Sequence, residues 1–262
     1  MNTQRFLTRR AAGRLCALAG ALGLAVAAPA QAQTGGKGFL FGQPNWTLGV
    51  RGGFERANAS GDIFEFVTDQ LTLEKGDFSG FTAAVDLGYS LGPQLDLVFS
   101  GSYTGTKTPS EMRAFIGTDD LPIAQTTKFM RMSYTASIKG YLMPRGQSIG
   151  TLAWVPSRFA PYIGAGGGLM KYRFEQEGEF VDVDSPNLDI FRDKLTSADW
   201  TPTAHGFAGL DFALTTRLGV TAEARYSWAR GDMGNGADAD FIDFGRIDLS
   251  GLSATAGLHV RF

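Results

Sequence analysis

Apolar and polar residues alternate along much of this 262-residue chain with a period of two. This period is typical of β-strands that have one apolar and one polar face. Eight segments show it, starting near residues 46, 81, 95, 130, 161, 204, 220 and 252. After the first 32 residues, no apolar run reaches the roughly 20 residues that a membrane-spanning helix needs. If the chain spans a membrane, it must do so as a closed sheet, because only helices and closed barrels satisfy all backbone groups in lipid.

The connections between the eight segments are alternately long and short. The long ones cover about residues 56–78, 105–127, 175–201 and 229–248, and the short ones cover 90–94, 143–159 and 215–217. An even number of strands, with long loops at one end and short turns at the other, is typical of outer-membrane barrels. Within 143–159, Pro144-Arg145-Gly146 predicts a break and not a strand. The fold class that we predict is all-β, an eight-stranded antiparallel up-and-down transmembrane β-barrel.

The first 32 residues have the composition of a secretory signal peptide. Four arginines precede an apolar core from Leu15 to Val26, and Ala30-Gln31-Ala32 offers a small-x-small cleavage pattern. We therefore predict a signal peptide over 1–32 and a barrel domain over 33–262. The only cysteine, Cys16, leaves with the signal, so the mature chain has no thiol. Removal of the signal leaves 20 Lys and Arg against 26 Asp and Glu, an acidic balance that argues against nucleic acid as a partner.

The two faces of the predicted strands differ in charge. One face carries nine charged residues that we predict to form a network in the lumen: Arg51, Asp86, Asp96, Arg131, Lys139, Asp211, Glu223, Arg225 and Arg261. The lumen of an eight-stranded barrel is only wide enough for side chains to fill it. We expect opposite charges to pair there, because an unpaired buried ion costs several kcal/mol. For Glu223 and Arg225 the predicted partners are Arg261 and Asp211 on the adjacent strands.

The other face is almost free of charge, and its aromatic residues lie near strand ends. They are Trp46, Phe54, Tyr89, Tyr103, Tyr226, Trp228 and Phe262. This pattern predicts aromatic girdles at two lipid–water interfaces. The alternative is a secreted soluble barrel of the lipocalin kind, whose apolar face lines a ligand cavity. In the glycine-rich fifth segment the better fit places the apolar side chains outside and Lys171 and Arg173 inside; those outside are Tyr162, Met170, Tyr172 and Phe174.

Three segments resemble those of a known membrane-protein family. They are Pro161-Tyr162-Ile163-Gly164-Ala165-Gly166, Ala222-Glu223-Ala224-Arg225-Tyr226 and Gly257-Leu258-His259-Val260-Arg261-Phe262. With them the chain, from about Trp46 to Phe262, is similar to the OmpA/OmpX-like small outer-membrane β-barrels. The resemblance implies a location in the cell outer membrane and, as partners, outer-membrane lipid, lipopolysaccharide and the barrel assembly machinery. It also implies that Leu258, Val260 and Phe262 form the signal that the assembly machinery recognises.

The sequence contains no constellation that indicates a catalytic, cofactor-binding or metal site. Lipid A deacylases use a His and a Ser on the outer face of a barrel, whereas His205 and His259 point inward in the predicted register. Acidic loop residues offer oxygen ligands for calcium but lack the EF-hand spacing; they are Asp182, Asp184, Asp189, Asp232, Asp238, Asp240 and Asp243. The run Gly164–Gly168 lacks the Lys-Ser/Thr pair of a phosphate-binding loop. We therefore predict no cofactor, and lumen hydrogen bonds as the role of the histidines.

The function that we predict is that of a non-enzymatic, structural or surface-interaction protein with specificity in the four long loops. Apolar loop residues such as Ile63, Phe64 and Leu71 either contact partners or pack against one another. An extracellular ligand of the loops is compatible with this prediction. One alternative is a passive channel for small or apolar solutes, as in OmpW-like barrels. A lipid A-modifying enzyme is a third, more distant hypothesis.

Overall fold

The computed structural model describes residues 39–262, except 118–119, 151, 183–184, 186–188, 235–239 and 242–243. The predicted signal peptide lies outside the described residues, as do Asp184, Asp238 and Asp243 among the acidic loop residues. In chain order the elements are β1 Leu40–Phe41, β2 Trp46–Ala57, α1 Asp62–Gln70, a 3-10 helix Lys75–Phe78, β3 Gly80–Ser90, β4 Leu95–Ile116, β5 Pro122–Tyr141, β6 Gly146–Ile149, β7 Ala153–Pro156, β8 Phe159–Val181, β9 Ile190–Ala213, β10 Leu218–Asp232, β11 Arg246–Asp248 and β12 Gly251–Arg261.

Eight of these strands form a closed antiparallel ring. Each of β2, β3, β4, β5, β8, β9, β10 and β12 pairs with the next, and β12 closes the ring on β2 with Arg261 opposite Thr47. Closure leaves no unpaired sheet edge within the ring. The predicted eight-stranded antiparallel barrel is thereby confirmed. On seven strands the assignment of alternate residues to the outer and inner faces is also as predicted. On β2, for example, Val50 is exposed and Arg51 is buried.

The outside of the ring is apolar between two rows of aromatic side chains. The lower girdle consists of Trp46, Tyr89, Phe159, Phe212 and Phe262, and the upper girdle consists of Phe54, Phe81, Tyr103, Tyr134, Trp200 and Trp228. Between the girdles, Val50, Val85 and Ile138 are each 45–48% exposed. A band of exposed apolar side chains with aromatic borders is typical of a surface that faces lipid. No described helix is long and apolar enough to cross a membrane.

Four neighbouring strands are about twice as long as the other four, so the ring is taller on one side. β4, β5, β8 and β9 contain 22, 20, 23 and 24 residues, whereas β2, β3, β10 and β12 contain 12, 11, 15 and 11. About 9–11 residues suffice to span a bilayer. The prediction of long loops over 105–127 and 175–201 is wrong for most of their residues, which extend two hairpins. We call residues 105–116, 122–132, 171–181 and 190–199 the tall wall.

The predicted parity of the fifth segment, now part of β8, is also wrong. Tyr162, Met170, Tyr172 and Phe174 are buried inside the ring, whereas Arg173 is exposed and Lys171 is half-buried on the outer face. The glycines of β8 make room on the inner face. At Gly164, for example, a Cβ would lie 2.2 Å from the Phe207 ring. Large apolar and aromatic residues of β8 therefore point inward, both near its lower end and at the level of the upper girdle. The prediction that apolar residues face outward does not hold for them.

An apolar core closes the upper end of the ring, and we call it the upper core. It consists of Ala57, Ala59, Ile63, Phe64, Val67, Leu71, Leu73, Phe78, Phe129, Met170, Tyr172, Phe174, Ala229, Met233, Phe241, Ile247 and Leu249. Helix α1 buries Ile63, Phe64 and Val67, which share one helical face, against inward side chains of β5 and β8. The Phe64 ring centroid lies 4.7 Å from that of Phe78 and 5.6 Å from that of Phe129. The long connection 56–78 is therefore a packed lid.

A small sheet lies at the lower end, where a short turn was expected. β1, β7 and β6 pair in that order, and Trp154 of β7 is 2% exposed. The predicted break at Pro144-Arg145-Gly146 is wrong for Gly146, which begins β6. Arg145 is buried and donates a hydrogen bond to the carbonyl oxygen of Pro44 at 2.9 Å. The N-terminal segment and the 143–158 connection therefore pack together at this end of the ring.

Candidate functional site

The lumen at the height of the lipid-facing band holds a network of ion pairs centred on Arg51. Its guanidinium lies 2.5 Å (Nε) and 2.9 Å (Nη2) from the two carboxylate oxygens of Asp86 on β3. Nη1 lies 2.6 Å from Glu223 Oε1 on β10, on the other side of β2. Asp86 also accepts a hydrogen bond from Ser100 at 2.6 Å. One buried cation thus joins three parts of the wall through charge-assisted hydrogen bonds, which are the stronger kind.

The partners of Glu223 and Arg225 differ from the predicted ones. Arg225 Nη2 lies 3.0 Å from Glu223 Oε1, and Tyr162 donates a hydrogen bond to Glu223 Oε2 at 3.1 Å. Asp211 pairs instead with Lys139 of β5 at 2.8 Å. Arg261 is 4% exposed and forms no ion pair with any described residue. Long side chains reach across the narrow lumen, so pairing is not restricted to adjacent strands.

Two further pairs lie above and below this centre. Above it, Arg131 Nη1 lies 2.8 Å from Glu55 Oε1 and also donates to the carbonyl oxygen of Leu249 at 3.1 Å. Below it, Arg145 Nη1 lies 3.5 Å from Asp96 Oδ2. All nine predicted network residues therefore lie on the inner face. Arg145 is a further lumen residue that the alternating pattern does not reveal, because it lies in a connection between strands.

The lumen is too full to hold a substrate. One cavity of about 30 Å³ is lined by Arg51, Arg131 and His205 among others, and one of about 50 Å³ is lined by Asp96, Asp211 and His259 among others. Cavities of this size hold water molecules, which need about 10–15 Å³ each. The lower cavity is also lined by Tyr141, Tyr162 and Phe207, whose rings pack together inside the ring. The described lumen is therefore a set of small polar cavities and not an open pore.

One Ser–His pair lies inside the lumen. Ser137 Oγ and His205 Nε2 are 2.8 Å apart, which is the distance at which a histidine activates a serine nucleophile. Both residues are buried, and His259 is buried as well. No substrate acyl chain fits beside them, so the pair forms a structural hydrogen bond. Among the described residues, no group of three or more His, Cys, Asp or Glu side chains is placed to hold a metal ion.

The chain is a small β-barrel of the outer-membrane type, defined by its closed eight-stranded ring, its two girdles and its charged lumen. Neither family models nor curated proteins give a match. Solved structures that are similar include Neisserial surface protein A, with 15% identity over 83% of this chain and 96% of that chain and a TM-score of 0.41. Another is Ail of Yersinia pestis, with 13% identity over 84% and 100% of the two chains and a TM-score of 0.39. A third is the protease OmpT of Escherichia coli, with 11% identity over 85% of this chain and 98% of that chain and a TM-score of 0.41.

Proposed function

We propose that the chain is a non-enzymatic integral protein of the cell outer membrane, of the OmpA/OmpX-like kind, whose barrel anchors a structured extracellular surface. The observation that carries the proposal is the lipid-type outer band around a lumen of paired charges. The lower end, with both ends of the described chain and the short turns, then faces the periplasm, and the tall wall faces the outside. A soluble barrel does not account for a band of exposed apolar residues bordered by two aromatic girdles.

The location has a direct test. The mature protein is expected to fractionate with outer membranes and to migrate faster on gels before heating than after, as folded barrels do. Recovery of the protein in the soluble periplasmic fraction, without such a change in migration, would refute the proposal.

The extracellular surface is the region where we place any specificity. Ile63, Phe64 and Leu71, which the sequence left open as partner contacts, are packed in the upper core. Ile116 and Phe191, by contrast, are 68% and 46% exposed at the ends of the two tall hairpins. A partner of this protein would therefore meet the hairpin ends before it meets α1.

The rival hypothesis is a passive channel for small or apolar solutes. A channel needs a continuous path, whereas ion pairs fill this lumen and the upper core covers it. Planar-bilayer recordings of the purified protein, beside a large porin reconstituted in the same way, separate the two functions. We expect no steps above the baseline noise from this protein. Regular open-channel steps would favour the channel.

An enzyme that modifies lipid A is the third hypothesis. It requires catalytic groups on the lipid-facing side, whereas His205 and His259 are both buried inside the ring. Mass spectrometry of lipid A from cells with and without the protein tests it. We expect identical acyl and phosphate composition in both.

We also propose that the outward row Leu258, Val260 and Phe262 of the last strand is what the barrel assembly machinery recognises. These three side chains are exposed on the lipid face, whereas Arg261 is buried in the lumen. Phe262→Asp is expected to reduce the yield of folded barrel in the outer membrane at least tenfold. Arg261→Gln is the matched control and should reduce it much less. Equal yields from the two variants would contradict this role.

A further inference from the structure

The charged side chains of the lower lumen do not balance. Below the pair of Arg131 and Glu55, the inner face carries five cations and four anions among the described residues. All four anions lie in ion pairs with four of the cations: Arg51 and Arg225 with Asp86 and Glu223, Lys139 with Asp211, and Arg145 with Asp96. The fifth cation is Arg261. An Arg side chain is always protonated in proteins, so this excess positive charge cannot be removed by loss of a proton.

Arg261 borders the lower cavity. It lies on the inner face of β12, two residues beyond His259 in the same row. It is 4% exposed, and its Nη1 atom is buried without a hydrogen-bond partner. The residue opposite it on β2, Thr47, lines the cavity. So do Asp96 and Asp211, which attract its guanidinium without coming within ion-pair distance.

Other polar atoms around this cavity also have no partner among the described residues. Two are the nitrogens His259 Nε2 and Arg145 Nε, and two are the Oδ1 atoms of Asp96 and Asp211. Buried polar groups without partners are rare in folded proteins, so this group of atoms requires an explanation. Water molecules alone would satisfy the hydrogen bonds. They would leave the charge of Arg261 buried without a counter-ion, which is unfavourable.

A small monovalent anion supplies both the missing charge and a missing acceptor. One negative charge restores the balance, whereas a divalent anion such as sulfate would leave the lower lumen negative. The cavity of about 50 Å³ has room for a few particles of the size of water, at about 10–15 Å³ each. A chloride ion is only slightly larger than a water molecule. It therefore fits together with water that donates hydrogen bonds to the Oδ1 atoms of Asp96 and Asp211.

We infer that the lower lumen binds one monovalent inorganic anion of the size of chloride between Arg261 and His259, and that this ion stabilises the folded barrel. Arg261 Nη1 donates a hydrogen bond to the ion and carries the charge that the ion neutralises. His259 Nε2 donates to it in the tautomer that has its hydrogen on that atom. Lys139, which also lines the cavity, adds positive potential from β5. The site goes beyond the proposed function and does not depend on it.

The first test measures unfolding in urea, in an uncharged detergent, while gluconate replaces chloride stepwise at constant sodium. Gluconate is too large for the cavity. Because the ion binds only the folded state, each tenfold rise in chloride above its dissociation constant should lower the unfolding equilibrium constant about tenfold. In Arg261→Gln, which removes the excess charge, unfolding should not depend on the anion. Arg158→Gln removes an exposed cation at the same end, and this matched control should keep the dependence of wild type.

No chloride dependence in wild type would overturn the inference. The same dependence in Arg261→Gln as in wild type would overturn it as well, because a general salt effect would then be sufficient. A barrel held only by its protein contacts would lose stability on this substitution in both salts. We expect instead that Arg261→Gln is at least as stable as wild type in gluconate, where wild type has no counter-ion for Arg261.

The second test locates the ion and needs wild type alone. Crystals grown with bromide in place of chloride, with data collected at the bromine absorption edge, should show an anomalous peak in the lower cavity in contact with Arg261 Nη1. Lumen density without an anomalous signal would identify water and overturn the inference, even if Arg261→Gln does not fold. Fractionation tests the outer-membrane location separately. If wild type is found there and its lumen contains no bromide, the anion site alone is refuted.

Discussion

The inner face of the barrel changes its chemistry at the height of the upper girdle. Below that height the lumen contains Arg51, Asp86 and Glu223 in direct contact. Above it, the same wall encloses Phe129 and Phe174, which pack against Phe64 of the lid. The outer face changes in the opposite sense, from apolar to charged. Strand β8 shows the whole change, since its outward row passes from Leu169 to Lys171 within two residues.

This inversion shows that the strand pattern depends on what surrounds the strand. In lipid the outer face must be apolar, and polar side chains are left for the interior. In water the outer face is polar, and an apolar interior is stabilised by burial. One continuous strand that crosses the interface must therefore exchange its two faces. The lower lumen is dominated by ion pairs, beside one small cluster of Tyr141, Tyr162 and Phe207, whereas the upper part is held by aromatic packing. The two parts should therefore respond differently to substitution.

The largest effect is expected from Arg51→Met in the lower part. The change leaves the carboxylates of Asp86 and Glu223 buried with fewer partners, and removal of one member of a buried pair costs about 3–5 kcal/mol. We expect this loss in the free energy of unfolding in urea, measured from the folded fraction on unheated gels. Arg192→Met, on an Arg whose side chain is 78% exposed, should change the free energy by less than about 0.5 kcal/mol. Similar losses for both would show that the lumen pairs do not support the barrel.

A smaller and more local effect is expected from Phe64→Ala in the upper core. Removal of a buried Phe side chain lowers the free energy of unfolding by about 3 kcal/mol or more. Here we expect it to destabilise the packing of the lid and not the barrel itself. We expect faster proteolytic cleavage within residues 58–79 while the migration of the folded barrel on gels stays unchanged. Phe66→Ala on the same helix is the control, because Phe66 is 48% exposed. If both variants are cleaved at the same rate, the lid is not held by the upper core.

The smallest effect concerns Glu175 in the tall wall. Burial raises the pKa of its carboxyl, but hydrogen bonds from Lys128 and Lys194 outweigh burial, so the pKa lies below the ordinary value of 4.5. A lowered pKa means that the stabilisation is complete above the unfolded-state value and is lost as pH falls through the folded-state value. For a partly exposed ion pair we expect less than about 1 kcal/mol.

Hydrogen exchange of the amides near residues 175–177 and 194–196 measures this effect at pH 6 and pH 3.5, corrected for the intrinsic exchange rate. Exchange should be faster at the lower pH in wild type, and Glu175→Gln should remove most of the difference. A pH difference that persists undiminished in the variant would assign the effect to other groups.

Much of the fold could be predicted because period two appears wherever one face meets lipid, as on β2, β3 and β12. The inner and outer faces of β8 could not be predicted in the same way. Tyr172 and Lys171 exchange roles once the strand leaves the lipid-facing band, and Tyr162, near the lower end, points inward and donates a hydrogen bond to Glu223. The partners in the ion pairs could not be predicted from the sequence either. Arg51 and Glu223 are separated by 172 positions, and their contact depends on the tilt and stagger of the strands around the ring. Arg145 lies in a connection, where no alternation of apolar and polar residues indicates which side chains face the lumen.

Closure of the polar lumen under the upper core can be tested with a single introduced cysteine, because Cys16 is the only native one and lies in the predicted signal peptide. Thr135 lines the upper cavity and is 7% exposed, whereas Ser60, in the connection between β2 and α1, is exposed. In folded protein, a charged, membrane-impermeant maleimide is expected to label Ser60→Cys within minutes and to leave Thr135→Cys unlabelled for hours. Addition of Phe64→Ala should open the lid and speed the labelling of Thr135→Cys. Equally fast labelling at both positions in the otherwise native barrel would show that the lumen is open, and would contradict this account.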